Sequence, residues 1–176
     1  MPHKLTTAVA AAVLTTGAAA VAGGSPASAH EAGEPHLVTD LNTTGAGAWF
    51  VDLHAIGADL YFVAETPDAG EELFFHDAST GATTLIDINP GRPGSTPRSL
   101  ATGPDGWLYF AADDGVHAQE LWRANGPTAE LVRDIRPGPD GSWPAYLVAF
   151  AGAVSFAADD GTFNDIDAFG QELWRS

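Results

Sequence analysis

The sequence predicts an all-β chain, a propeller-like array of three four-stranded repeats of about 47 residues each. Three observations predict it. Asp40, Asp87 and Asp134 stand 47 residues apart inside the cognate phrases LVTDLN, TLIDIN and LVRDIR. DLYFVA, WLYFAA and AVSFAA follow in turn, each succeeded by EELFF, QELWR or QELWR. Finally, 20 Gly and 12 Pro punctuate 176 residues with turns and oppose long helices. Self-similarity at such a fixed period is the mark of a repeat architecture, and a four-stranded unit of this length is the size of a propeller blade.

The elements follow in chain order. Residues 1–29 read as a signal peptide: Lys4 supplies charge, LTTAVAAAVLTTGAAAVA is the apolar stretch, and Ala27-Ser28-Ala29 fits cleavage after Ala29. Ala and Thr dominate that stretch and Leu is scarce, so it would insert poorly as a permanent span. A short linker (30–35) leads to the repeat domain (36–176), with repeats at about 37–83, 84–129 and 130–176. No other long apolar run exists, so the expectation is a secreted, extracellular protein with no membrane span after processing.

Within each repeat, four short stretches of strand character alternate with Gly, Pro and Asp clusters. In the second they run Arg98–Thr102, Trp107–Ala112, Glu120–Ala124 and Ala129–Ile135. Alternation puts Leu60, Phe62 and Ala64 on one face of a strand, with Leu108, Phe110, Ala112 and Val154, Phe156, Ala158 as equivalents. Tyr61, Tyr109 and Ser155 take the other face. Two largely apolar faces suit sheets stacked against one another. The chain opens on a fourth-strand segment, His36–Leu41, and closes on a third-strand one, ELWRS. Pairing of those segments would complete one blade and remove an open edge. Propellers usually have about four to eight blades, so a head-to-tail homodimer forming one ring, or a short open stack, is the alternative to a three-bladed body.

Composition narrows the function. With 23 acidic residues against 7 basic ones the formal net charge is −16, and loss of the leader with Lys4 makes it −17. Such a field repels nucleic acid and keeps an exported protein soluble. Cysteine is absent, which removes disulfides, thiolate metal sites and cysteine nucleophiles. There is no G-x-S-x-G elbow and no phosphate-binding loop ahead of a helix.

Candidate sites lie in the loops. DDGVHAQE offers Asp113, Asp114 and Glu120; its longer sister DDGTFNDIDAFGQE offers Asp159, Asp160, Asp165, Asp167 and Glu172. Clustered carboxylates on a Gly-containing loop suit a hard cation, and Ca2+ is the cofactor they would take, although the spacing is not that of an EF-hand. The competing reading is that each DDG makes a tight turn, its aspartate bonding local backbone while Gly takes φ > 0. The insert in the third repeat adds acids without adding core, and edge loops are where binding residues collect. Glu72, Glu120 and Glu172 recur in every repeat. That argues for accepting hydrogen bonds from a neighbouring turn or from an arginine such as Arg133 or Arg98, not for catalysis. Trp49 and Trp143 occupy matching loop positions and, with Phe163, are the candidate contact residues for a ligand. Cleavage after Ala29 would leave His30 at the amino terminus, where it could chelate Cu2+ with a second histidine, although the surrounding repeat is unlike a copper oxygenase.

These phrases resemble the ELWxxDGT repeat family of secreted bacterial proteins. LIDINPGRPGSTP, LYFAADDGVHAQELWR, LVRDIRPGPDGSWP and SFAADDG…GQELWR carry the resemblance, over about 140 residues. It implies a propeller-like array with no catalytic residue assigned. The chain departs from the pattern in its three copies, in RANGPTAE and HDASTGAT after the Trp strand, and in AETPDAGEELFF in the first copy. The functional expectation is a non-catalytic module that binds an extracellular polysaccharide, cell-wall polymer or exported protein through its loops. The alternatives are a carbohydrate-active hydrolase or lyase using carboxylates such as Asp165 and Glu172, or a calcium-dependent adhesion element.

Overall fold

Apolar stretches interrupted every few residues by Gly, Pro or Asp cannot sustain a helix, and the described residues contain none. The structure is a computed structural model that describes residues 35, 37–41, 48–162 and 170–176. The leader, His30, His36 and the insert residues Phe163, Asp165 and Asp167 lie outside the described residues.

β1 (Trp49–Ile56), β2 (Asp59–Thr66), β3 (Gly70–Asp77) and β4 (Ala82–Ile86) make the first sheet. β5 (Arg98–Thr102), β6 (Leu108–Asp113), β7 (Gln119–Asn125) and β8 (Thr128–Arg133) make the second, and β9 (Ala145–Phe150), β10 (Ala153–Asp159) and β11 (Gln171–Arg175) the third. Each strand pairs antiparallel with its sequence neighbour. The described residues are thus all-β, in three separate antiparallel sheets. Local chemistry sets the hairpins: Ala151 and Gly152 both take positive φ (49° and 79°) between β9 and β10, the twist that a two-residue hairpin requires. β8 stops at Arg133, short of the expected Ile135, because the Ile135 N–H leaves the ladder to bond the Glu120 carboxylate at 3.1 Å.

Both faces of the second sheet are buried. Leu108, Phe110, Ala112 and Ala124 pack with Tyr61, Val63, Leu73, Phe75 and Ile86 of the first sheet. From its other face Tyr109 and Leu121, with Ile135, pack with Val154, Phe156 and Ala158 of the third. Each large side chain taken fully out of water here contributes about 1.5–3 kcal/mol. A third cluster, Phe62, Ala64 and Phe74 with Leu41 and Leu60 against it, lies on the face of the first sheet turned away from the second.

The expected pairing of the first and last segments is not present, and the sheets are not closed. Among the described residues β11 has β10 on one side and no strand on the other, and Leu37–Leu41 forms no strand. The reason is packing: Leu41 sits on the first sheet beside Phe62, Ala64 and Phe74. The second sheet stands between the first and the third, where β11 lies.

Two linkers join the sheets, residues 87–97 and 134–144, and each is clamped by backbone bonds to both sheets it connects. Thr96 N donates to Glu71 O of β3 at 3.0 Å, while Ser95 O accepts from Asp113 N of β6 at 2.9 Å. In the second linker Ser142 N and Trp143 N donate to Gln119 O of β7, and Ser142 O accepts from Asp159 N of β10 at 2.8 Å. The approach is so close that a Cβ on Gly94 would stand 2.4 Å from Glu71 N, and one on Gly141 2.7 Å from Gln119 N. Only glycine fits these two positions, which also have positive φ.

Candidate functional site

The linkers are locked in place by the recurring glutamates. Glu72 is fully buried and accepts from Ile88 N at 3.3 Å, Asn89 N at 3.0 Å and the Ser95 hydroxyl. Burial pushes its carboxyl above the usual range, against the opposing pull of those three donors. Glu120, also fully buried, accepts from Ile135 N and Arg136 N at 3.1 Å, Ser142 N at 3.0 Å and Ser142 Oγ at 2.5 Å. The turn-binding role expected of these acids is what their geometry shows, although the expected arginine is placed otherwise. Arg98 pairs with Glu71, not Glu72, and Arg133 lies over the Trp174 ring at 5.9 Å. Glu172 is exposed and accepts no hydrogen bond among the described residues.

The DDG aspartates are turn formers. Asp113 Oδ1 accepts from Gly115 N and Asp159 Oδ1 from Gly161 N, both at 2.7 Å, with those glycines at φ 80° and 78°. Asp159 Oδ2 also holds Arg136 Nη1 at 2.6 Å, tying the second linker to β10. Asp160 accepts from Thr162 N at 2.8 Å and from its hydroxyl, and these bonds hold its carboxyl below the ordinary range. Asp114 accepts from Val116 N, His117 N and His117 Nδ1. Burial works against ionisation of Asp114, but these bonds outweigh it and its carboxyl lies below the usual value; the bond to Asp114 raises the His117 ring in turn. Among the described residues no three His, Asp or Glu side chains are gathered as a metal site would need.

What the linkers build is a groove. Trp143, Pro144 and Ala145 from the second linker and the start of β9 face Thr96, Arg98 and Ser99, with Gln119 and Gln171 completing an open cleft of about 470 Å³. Trp143 is 59% exposed, yet it is fixed: its Nε1 donates to Asp140 O at 2.8 Å and its backbone N to Gln119 O at 3.0 Å. The backbone at Trp143 is left-handed (φ 53°), and so is that at Thr96 (φ 46°), 47 residues earlier. The same backbone position therefore carries a small side chain between the first two sheets and a large flat one between the second and third. Gln119 Nε2 donates to Thr96 Oγ1 at 2.8 Å, and Arg98 Nη1 donates to Pro97 O at 2.8 Å, which sets the polar wall. Trp49, another 47 residues before Thr96, is 74% exposed at the start of β1 and lines a smaller cleft of about 290 Å³ with Glu65, Thr66, Pro67 and Arg92.

Of the residues singled out in the sequence, Trp143 lies in the larger groove and Trp49 in the smaller one. The carboxylates Asp113, Asp114, Glu120, Asp159 and Asp160 are engaged in turns, linkers or an ion pair. Thr96, Arg98, Gln119 and Gln171 were not foreseen as groove residues. The signal that could have found Thr96 was the 47-residue spacing that links Trp49 and Trp143 through it. Comparison with family models, curated proteins and solved structures finds no match for this chain.

Proposed function

We propose that this chain is an exported, propeller-like repeat module of the ELWxxDGT type that binds an extracellular carbohydrate polymer, without turning it over, in the groove at Trp143. The observation that carries the reading is the immobilised, half-exposed indole of Trp143 in a cleft that Arg98, Gln119 and Gln171 also line. A flat apolar ring flanked by hydrogen-bonding groups matches the alternating faces and edges of a sugar ring. Holding Trp143 by one indole and one backbone hydrogen bond lowers the ordering cost that binding would otherwise incur. Glu120, Asp113 and Asp159 are held by backbone donors or Arg136 in structural roles, and Glu172, next to Gln171 in the chain, is the exposed acid that a hydrolase reading would use. The propeller-like reading rests on the three meanders, stacked face to face, and on landmarks 47 residues apart.

The test is a pull-down of the chain from His30 onward with insoluble polysaccharides and cell-wall fractions, followed by titration of soluble fragments. Trp143→Ala is expected to weaken binding by about tenfold or more, with the melting temperature unchanged. Loss of no affinity would remove the groove from the account, and release of new reducing ends would identify a hydrolase.

A further inference from the structure

The pentapeptide Gln-Glu-Leu-Trp-Arg occurs twice, and its leucine shows what the third sheet lacks. Leu121 is 1% exposed against the third sheet, as its counterpart Leu73 is 0% exposed against the second, whereas Leu173 is 84% exposed. Val148 and Phe150 share that open face of the third sheet and are 54% and 69% exposed. In the first two sheets the third strand is covered on its far side by a fourth, β4 or β8, and β11 has none among the described residues. Glu72 and Glu120 are each filled by donors from the linker that follows; Glu172 is not.

The opposite end of the stack carries the complement. Leu37-Val38-Thr39-Asp40-Leu41 aligns with Thr84–Ile88 and with Leu131–Ile135, the ends of the two fourth strands and the linker residues after them. It forms no strand, and Leu37 and Val38 are 78% and 53% exposed. Ile88 and Ile135 pack in the two cores between sheets. Leu41, 47 residues before Ile88, already sits on the outer face of the first sheet against Phe62, Ala64 and Phe74. Phe50 and Leu53 on that face are 48% and 60% exposed.

We propose that Leu37–Leu41 of a second copy of this chain adds to the third sheet as its fourth strand beside β11, so that the molecules associate head to tail. The Leu41 N–H of the incoming copy takes the place at Glu172 that Ile88 N takes at Glu72, and its first sheet covers Leu173. Position 48 is Ala where the linkers have Ser95 and Ser142, so the socket at Glu172 receives one hydroxyl donor fewer. Strand addition supplies the main-chain bonds, and the two apolar faces supply the buried area. Such an interface uses different surfaces on the two copies, so it closes into a ring or continues as a filament.

The experiment is size-exclusion chromatography with light scattering on the chain from His30, which retains the compact unit Leu37–Ser176. Two variants each disable one side. Leu173→Asp puts a charge on the open face of the third sheet. Val38→Pro with Thr39→Pro removes two adjacent N–H groups, one of which faces the ladder whichever register is taken. Each variant alone is expected to associate about tenfold more weakly or worse, and an equimolar mixture to form a 1:1 dimer, because each supplies the side the other lacks. Circular dichroism checks that both fold, and a misfolded Leu173→Asp is replaced by Leu173→Ser. A parent chain that is monomeric up to its solubility limit overturns the proposal, as does a mixture in which association is not restored.

Discussion

Gln119–Arg123 and Gln171–Arg175 are the same five residues in the same kind of strand, and they live in opposite surroundings. In β7 Gln119, Glu120 and Leu121 are buried; in β11 Gln171, Glu172 and Leu173 are exposed. The strands pair alike with the strand before them, Ala112 opposite Glu120 and Ala158 opposite Glu172. What differs is the neighbour on the other side: a linker and a third sheet for β7, and neither for β11 among the described residues. Burial in this molecule is therefore conferred by the next sheet, so the energetic value of one sequence depends on its place in the stack.

The glutamates give the largest expected difference. Glu120→Ala strands the N–H groups of Ile135 and Arg136 and the Ser142 hydroxyl around a buried cavity and is expected to cost about 3–5 kcal/mol. Glu172→Ala, measured in dilute solution where the chain is monomeric, is expected to leave the denaturation midpoint where it was. Equal losses at the two sites would show that β11 has a partner for its carboxylate and would break the comparison. Leucine sharpens it next. Leu121→Ala removes packing against the third sheet and is expected to cost about 2–5 kcal/mol, while Leu173→Ala in the same dilute solution stays within about 0.5 kcal/mol. Urea denaturation of all four variants reads both contrasts.

The strands were legible because their signal is local. Alternation in Leu108–Ala112 and the Gly and Pro clusters on either side mark β6 to within a residue. Leu108, Phe110 and Ala112 face the first sheet while Tyr109 faces the third, as two apolar faces require. The recurrence of Glu72 and Glu120 told of a structural acid, though not of the donors that fill it. Closure was not legible, since a fourth-strand sequence at 37–41 and a third-strand sequence at 171–175 name complementary partners without saying which molecule brings them together. The groove was half legible. Trp143 stood out as a loop aromatic, but Arg98 and Gln119 reach it only because the linker folds back between two sheets, a non-local fact that no window of sequence contains.

The tryptophans of the repeated pentapeptide supply the finest contrast. Trp174 Nε1 donates to Ala158 O at 3.0 Å and its ring lies under Arg133, whereas Trp122 Nε1 is buried with no partner among the described residues. An unpaired buried N–H costs free energy that its removal recovers. The first sheet already carries the simpler solution, Phe74, stacked on Phe62 at 5.3 Å in the register where Trp122 faces Phe110. Trp122→Phe is accordingly expected to change stability by less than about 1 kcal/mol, the lost ring area being offset by the relieved N–H. Trp174→Phe forfeits a made hydrogen bond and the cation–π contact, and is expected to cost about 1–2 kcal/mol. Thermal and urea unfolding of the pair decide the order. Were Trp122→Phe the costlier change, its indole would have to be hydrogen-bonded in solution, and the second sheet would be more polar inside than its neighbours imply.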